Sequence, residues 1–309
     1  MRWPFLILVV LIIFMPRVVI GASVSPSVIE LSGKRGEVVS SKLTIINSQS
    51  VDQTYYLGVM SFEPDETGTL PHFLSAKEDR SGFTRWLNLD NEQVVVKAQS
   101  KGEVPFELNI PVDVASGGYY GALTVSGSPS DLVVDNGASV EAKTAALIFL
   151  TVQGETMEKL ALLDFFSSNR WSSDLHHSLT YRLQNQGNVH VTPQGKVSLK
   201  DVFGRTIASV DANPSQGRIL PNSTRSYSVE AERPSGWINT LQAQMRSFAI
   251  GPVTAQVALS YGQTNQVIEA STSFWYVPWQ LLISVILLAA IVIWLFEQAS
   301  KQQKRSEKN

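Results

Sequence analysis

No cysteine occurs anywhere in the 309 residues, so the chain forms no disulfide, carries no thiolate nucleophile and offers no sulfur-based zinc site. Histidine is scarce, with four copies: His72, His176, His177 and His190. His176 and His177 are adjacent, so in a strand they face opposite sides, and no third histidine stands near them in sequence. A basic surplus is also missing, since 25 Lys and Arg against 27 Asp and Glu leave a net charge of -2. Such a chain lacks the positive field with which nucleic-acid-binding proteins neutralise phosphates, and neither DNA nor RNA is expected as a partner. The nucleophile-elbow G-x-S-x-G, the Walker-type phosphate loop and the dinucleotide G-x-G-x-x-G are all absent from the sequence. No catalytic residue, metal or cofactor is expected.

What is present lies first at the two ends. "MRWPFLILVVLIIFMPRVVIGAS" has Arg2, an apolar run from Trp3 to Met15 and a small-residue ending at Gly21-Ala22-Ser23. This is the layout of a secretory signal and predicts a signal peptide over residues 1–22, with an uncleaved anchor as the alternative. Near the other end, Val277 to Phe296 is an almost unbroken apolar run of 20 residues, interrupted by Pro278 and Gln280 near its outer end. A helix of that length crosses a hydrocarbon core of ~30 Å, and the span is placed over 274–297. Trp275, Tyr276 and Trp279 at one edge and Trp294 near the other are expected at headgroup level as interface anchors. Residues 298–309 form a tail with Lys301, Lys304, Arg305 and Lys308, the charge excess of a cytoplasmic flank. The expected arrangement is a single-pass protein of the cell membrane, with residues 23–273 outside and the tail inside.

Between the ends, β-branched and aromatic segments follow one another with Gly, Pro, Asn and Asp clusters between them. "VVSSKLTIIN", "TYYLGVMSF", "YYGALTVSG" and "TAALIFLTV" are examples, and none has a helical period. Strands so closely spaced predict an all-β protein: two immunoglobulin-like antiparallel β-sandwich domains, 23–154 and 155–273, followed by one transmembrane helix. In "LTYRLQNQGNVHVTPQGKVSL" the alternation puts Val189 and Val191 on the inward face of a strand, and His190 between them toward solvent. The polar stretch from Glu63 to Arg85 is long for a hairpin connection. Its carboxylates Glu63, Asp65, Glu66, Glu78 and Asp79 lack the ligand spacing of a calcium loop. Its apolar residues Phe73, Leu74 and Phe83 are the candidate binding anchors of a protruding loop, and excision of Asp65 to Ser81 is expected to spare the fold.

The succession of "VSPSVIEL", "GEVVSSKLTIINSQ", the polar insertion, "WLNLD", "IPVDVASGGYYGALTVSG" and "AALIFLTVQGE", then a second β domain and a terminal span, resembles the bacterial WxL-interacting cell-surface proteins. That resemblance covers nearly the whole chain, most clearly residues 23–154. It implies an N-terminal domain assigned to peptidoglycan binding and a second domain assigned to binding WxL-type surface proteins. The chain also resembles pilus chaperones in its paired immunoglobulin-like domains, although those proteins are soluble and have no terminal span. The functional expectation is a non-enzymatic membrane-anchored protein that binds cell-wall polymer (peptidoglycan) or other cell-surface proteins. A membrane-anchored wall enzyme and a structural subunit of an envelope membrane complex are the alternatives.

Overall fold

The computed structural model describes residues 23–64, 71–74, 78–128, 143–173, 178–230 and 236–306. The expected signal peptide and the pair His176 and His177 lie outside the described residues. The chain divides into two compact units, Met1–Glu63 with His72–Glu155 and Pro64–Pro71 with Thr156–Asn309, each built around a sandwich of two sheets.

In the first unit one sheet runs β1 (Ser23–Ser25), β3 (Val38–Asn47), β8 (Ser100–Asn109), β6 (Leu87–Leu89). The facing sheet runs β2 (Val28–Gly33), β10 (Lys143–Val152), β9 (Gly117–Ser126), β4 (Gln53–Pro64), β5 (Pro71–Leu74), and β7 (Gln93–Val96) also pairs with β4. Period-two alternation supplies the core: Leu43 and Ile45 from β3, Val104, Phe106 and Leu108 from β8, and Ile148, Leu150 and Val152 from β10. One turn of helix, α1 (Phe83–Trp86), sits between β5 and β6.

In the second unit a three-stranded sheet, β11 (Leu160–Ser167), β13 (Leu179–Asn185), β16 (Thr224–Val229), faces a five-stranded one. The latter runs β12 (Trp171–Ser172), β18 (Gln266–Tyr276), β17 (Gly251–Tyr261), β14 (Gln194–Lys200), β15 (Thr206–Asp211). Tyr181, Leu183, Val197, Val257 and Phe274 meet in its core. Two helices complete the unit: α2 (Trp237–Arg246) before β17, and α3 (Trp279–Ser306) after β18.

The all-β architecture is as expected, with three differences. The sheets are not wholly antiparallel: β2 runs parallel to β10 with Val28 against Leu147, and β12 runs parallel to β18 with Trp171 against Trp275. "GNVHVTP" is not a strand, because only Val191 pairs, in a single bridge with Ile219. Val189 and Val191 are buried as predicted, but His190 is half-buried rather than solvent-facing, since no regular strand turns it outward. Finally, the apolar terminal segment is a strand through Tyr276, and the helix starts at Trp279 rather than at residue 274. From Trp279 to Lys301, 23 residues, that helix is long and apolar enough to cross a membrane, and none of its apolar stretch is buried against the rest of the chain.

Candidate functional site

The segment predicted to protrude folds back onto the first unit. The key is Asp79, whose carboxylate accepts hydrogen bonds from the backbone N–H of Ser81 (3.0 Å), Gly82 (3.1 Å) and Thr84 (2.9 Å) and from the hydroxyls of Ser81 and Thr84. Gly82 is the cap residue of α1 and Thr84 lies in its first turn, where the start of a helix leaves amides without partners, so Asp79 ties the start of α1 in place. Burial pushes the Asp79 carboxyl up, but the hydrogen bonds from Ser81, Thr84 and Gly82 outweigh it and hold the group below the usual carboxylate range.

Fixing α1 drives Phe83 inward. Its exposure is 0%, its ring lies 6.3 Å from that of Trp86, and Trp86 in turn lies 4.7 Å from Tyr119. Gly121 is what admits it, because a Cβ there would stand 1.9 Å from a Phe83 ring carbon. Phe83 is therefore a core residue and not a binding anchor: an aromatic side chain flanked by charge in sequence still goes to the apolar pocket that accepts it. Gly117, Gly118 and Gly121 lie within β9 itself.

Phe73 has a different setting. In β10 the core residues Ile148 and Leu150 flank Phe149, so Phe149 points to the opposite face of its sheet. Tyr120 is its register partner on β9. Phe62 on β4 joins them, with ring centroids 5.6 Å from Phe149 and 6.0 Å from Tyr120, and Phe73 on β5 lies 6.2 Å from Phe62. Four aromatic rings thus cover one patch on the outer face of a sheet, two of them, Phe73 and Tyr120, only half-buried. Leu74, also half-buried, follows on the same short strand. Offset and edge-on ring pairs of this kind form a rigid apolar surface at little cost in side-chain entropy. Of the three predicted anchors, Phe73 belongs to this patch; Leu74, the next residue on β5, alternates to the other face of that strand, and Phe83 is in the core. Phe62, Tyr120 and Phe149 were missed, although "YY" in β9 and the unbroken "LIFL" of β10 each put one bulky residue on the face away from the core.

The other sequence candidates that fall among the described residues are scattered. Among the described residues no group of three His, Asp or Glu side chains is placed to hold a metal. His72 is exposed on β5, Glu78 and Asp79 sit beside α1, and Asp65 and Glu66 lie outside the described residues. The "QNQGN" loop is held by Asn185, fully buried, which donates to the carbonyls of Val189 (2.8 Å) and Ile219 (2.9 Å) and accepts from the N–H of Gly187 (2.8 Å). Asn47 does the same at the end of β3 in the first unit, donating to Val51, Val96 and Lys97 and accepting from Gln49. Buried asparagines thus satisfy backbone groups of crossing loops in both units, and in the second Asn213 does so as well, donating to Pro193 and Gly217 and accepting from the N–H of Gly217.

The proposed interface anchors also divide. Tyr276 is 1% exposed in the core of the second unit, because strand alternation turns it inward with Phe274. Trp275, on the opposite face, is exposed and stacks on Trp171 at 5.2 Å. Trp279 opens α3, and Trp294 is exposed farther along it.

Neither a protein-family model nor a curated protein matches the sequence. Among solved structures, the class 5 fimbriae chaperone CfaA aligns over 83% of this chain and 100% of its own, at 11% identity and a TM-score of 0.42. The E. coli chaperone DraB aligns over 81% of this chain and 96% of its own, at 14% identity and a TM-score of 0.38. The Pseudomonas aeruginosa CupB2 chaperone covers 81% and 98%, at 10% identity and a TM-score of 0.36. The sandwich assignment stands on the strand pairing itself.

Proposed function

We propose that the chain is a non-enzymatic binding and scaffolding protein, carried on the outer face of a cell membrane by α3, and that its first unit holds cell-wall polymer or another surface protein. The observation that carries the reading is the junction of β18 and α3. Tyr276 ends a core strand and Trp279 opens an exposed apolar helix of membrane-crossing length, so two residues link a packed sandwich to the span. Lys301, Lys304, Arg305 and Lys308 at its far end give the cytoplasmic flank. The sequence order shared with WxL-interacting surface proteins supports peptidoglycan or a surface protein as the partner, and the aromatic patch around Phe73 supplies the contact face.

Full-length protein in detergent micelles, mixed with insoluble peptidoglycan in one arm and with solubilised envelope proteins in another, tests this. Retention in either arm, weakened by Phe73→Ala with the fold intact by circular dichroism, supports the reading. No retention in either arm overturns it.

A further inference from the structure

The end of the second unit from which α3 emerges is apolar well beyond α3 itself. Strand register defines that end: Lys200 pairs with Thr254, Thr254 with Ser273, and Gly251 with Tyr276. The turn that follows β14, Asp201 to Arg205, lies there too, and it carries Phe203 at 90% exposure next to exposed Val202. Asp201 holds the turn open by accepting from the N–H of Phe203 (3.0 Å) and of Arg205 (2.9 Å). The Arg205 guanidinium donates to the carbonyl of Phe248 (2.7 Å), just past α2.

Helix α2 is bound to the start of α3. The Gln244 amide donates to Gln280 and to the carbonyl of Ser173, and its oxygen accepts from the N–H of Leu281 at 3.0 Å. Trp237 packs edge-on against Trp279 at 5.3 Å. At 100° per residue, Trp237, Leu241, Met245 and Ile238 fall within an arc of about 100°. Thr240, Gln244 and Ser247 lie on one side of that arc and Asn239, Gln242 and Arg246 on the other. Gln244 makes the packing contact, while Ile238 and Met245 are exposed, as are Phe248 and Ile250 beyond them and Trp171 and Trp275 on the adjoining strands. Exposed Arg170 and Arg246 border this surface.

An apolar surface this broad on a water-facing domain marks a partner. Here the partner follows from continuity with α3, since Trp279, Gln280 and Leu281 stand at the mouth of the span and α2 packs on the first through Trp237 and is hydrogen-bonded to the other two through Gln244. We propose that α2 and the 201–205 turn form a collar that lies in the phospholipid bilayer interface. Trp237, Ile238, Met245, Phe248 and Phe203 enter the boundary of headgroups and acyl chains, and Arg170 and Arg246 face lipid phosphates. The collar seats the second unit on the membrane surface. This rests on α3 being a membrane span.

The absence of native cysteine makes the test direct. Single variants Phe203→Cys, Ile238→Cys, Met245→Cys, Val267→Cys and Leu288→Cys of the full-length chain, labelled with a polarity-sensitive fluorophore, are reconstituted into vesicles of phosphatidylcholine and phosphatidylglycerol. Val267 is exposed at the opposite end of β18, and Leu288 lies within α3. Probes at 203, 238 and 245 should lose quenching by aqueous iodide relative to 267 and gain quenching by lipids brominated near the headgroup, at a depth of about 5–10 Å. The probe at 288 should respond only to lipids brominated deep in the chain. If 288 lies in hydrocarbon while 203, 238 and 245 remain as open to iodide as 267, the collar is overturned and the span stands. If 288 is itself open to iodide, the span reading falls and the collar with it.

Discussion

Single side chains decide where the long polar insertion goes. Phe83 fills the space left by Gly121, and truncation leaves a cavity that the rigid β9 backbone cannot close. Phe83→Ala should therefore cost about 3–5 kcal/mol, read as a drop in the urea midpoint for the first unit. Asp79 acts on the same feature from the other side. Its carboxyl is held below the ordinary range, so the stability it contributes is present above the unfolded carboxylate value of about 3.9 and is lost as pH falls through its lower folded value. Denaturation of the parent and of Asp79→Ala should differ by about 1 kcal/mol at neutral pH and converge once the pH has fallen through the lowered folded value of the carboxyl. A gap that stays constant across that range would show that the carboxylate charge has no part in holding α1. Asn185→Ala tests the clasp of the second unit: the carbonyls of Val189 and Ile219 lose their donor, at about 1–3 kcal/mol for each group left buried and unpaired.

Strands announced themselves where one face is core and the other is not. The ten residues of β3 read directly, Leu43 and Ile45 alternating with Lys42 and Thr44, because burial on one side imposes the period. What alternation cannot carry is pairing across long separations, so the parallel contact of Val28 with Leu147 had no local signature. Helix α2 escaped for a related reason: Asn239, Thr240 and two glutamines are weak markers, and its apolar arc is not turned to a core, so no buried stripe betrays it. Phe73 and Leu74 could be picked out as apolar residues in a charged stretch. Whether such a residue reaches the surface depends on a pocket supplied elsewhere in the chain: Phe83 found one at Gly121, while Phe73 packs on Phe62 at the outer face of its sheet and stays half-buried. The same reasoning changes the expectation for excising Asp65 to Ser81. That cut removes β5 and Asp79 together, so it should destabilise the first unit. Phe73→Ala is the cleaner probe, expected to leave the unfolding midpoint of the core largely unchanged and to weaken partner retention.

At the level of the whole molecule, the described residues join two sandwiches to an exposed apolar helix, and the proposed role follows from which side of a membrane the sandwiches occupy. Val95, exposed on β7, reports on the first unit, and Val267, exposed on β18, on the second. With no native cysteine, Val95→Cys, Val267→Cys and Lys308→Cys each give a single thiol in the full-length chain. The deciding measurement is labelling of these three variants in intact, wall-stripped cells by a membrane-impermeant maleimide. Positions 95 and 267 should label at once, and position 308 only after the membrane is permeabilised. Protection of 95 and 267 until permeabilisation, with 308 open from the start, would contradict an outward-facing binding protein.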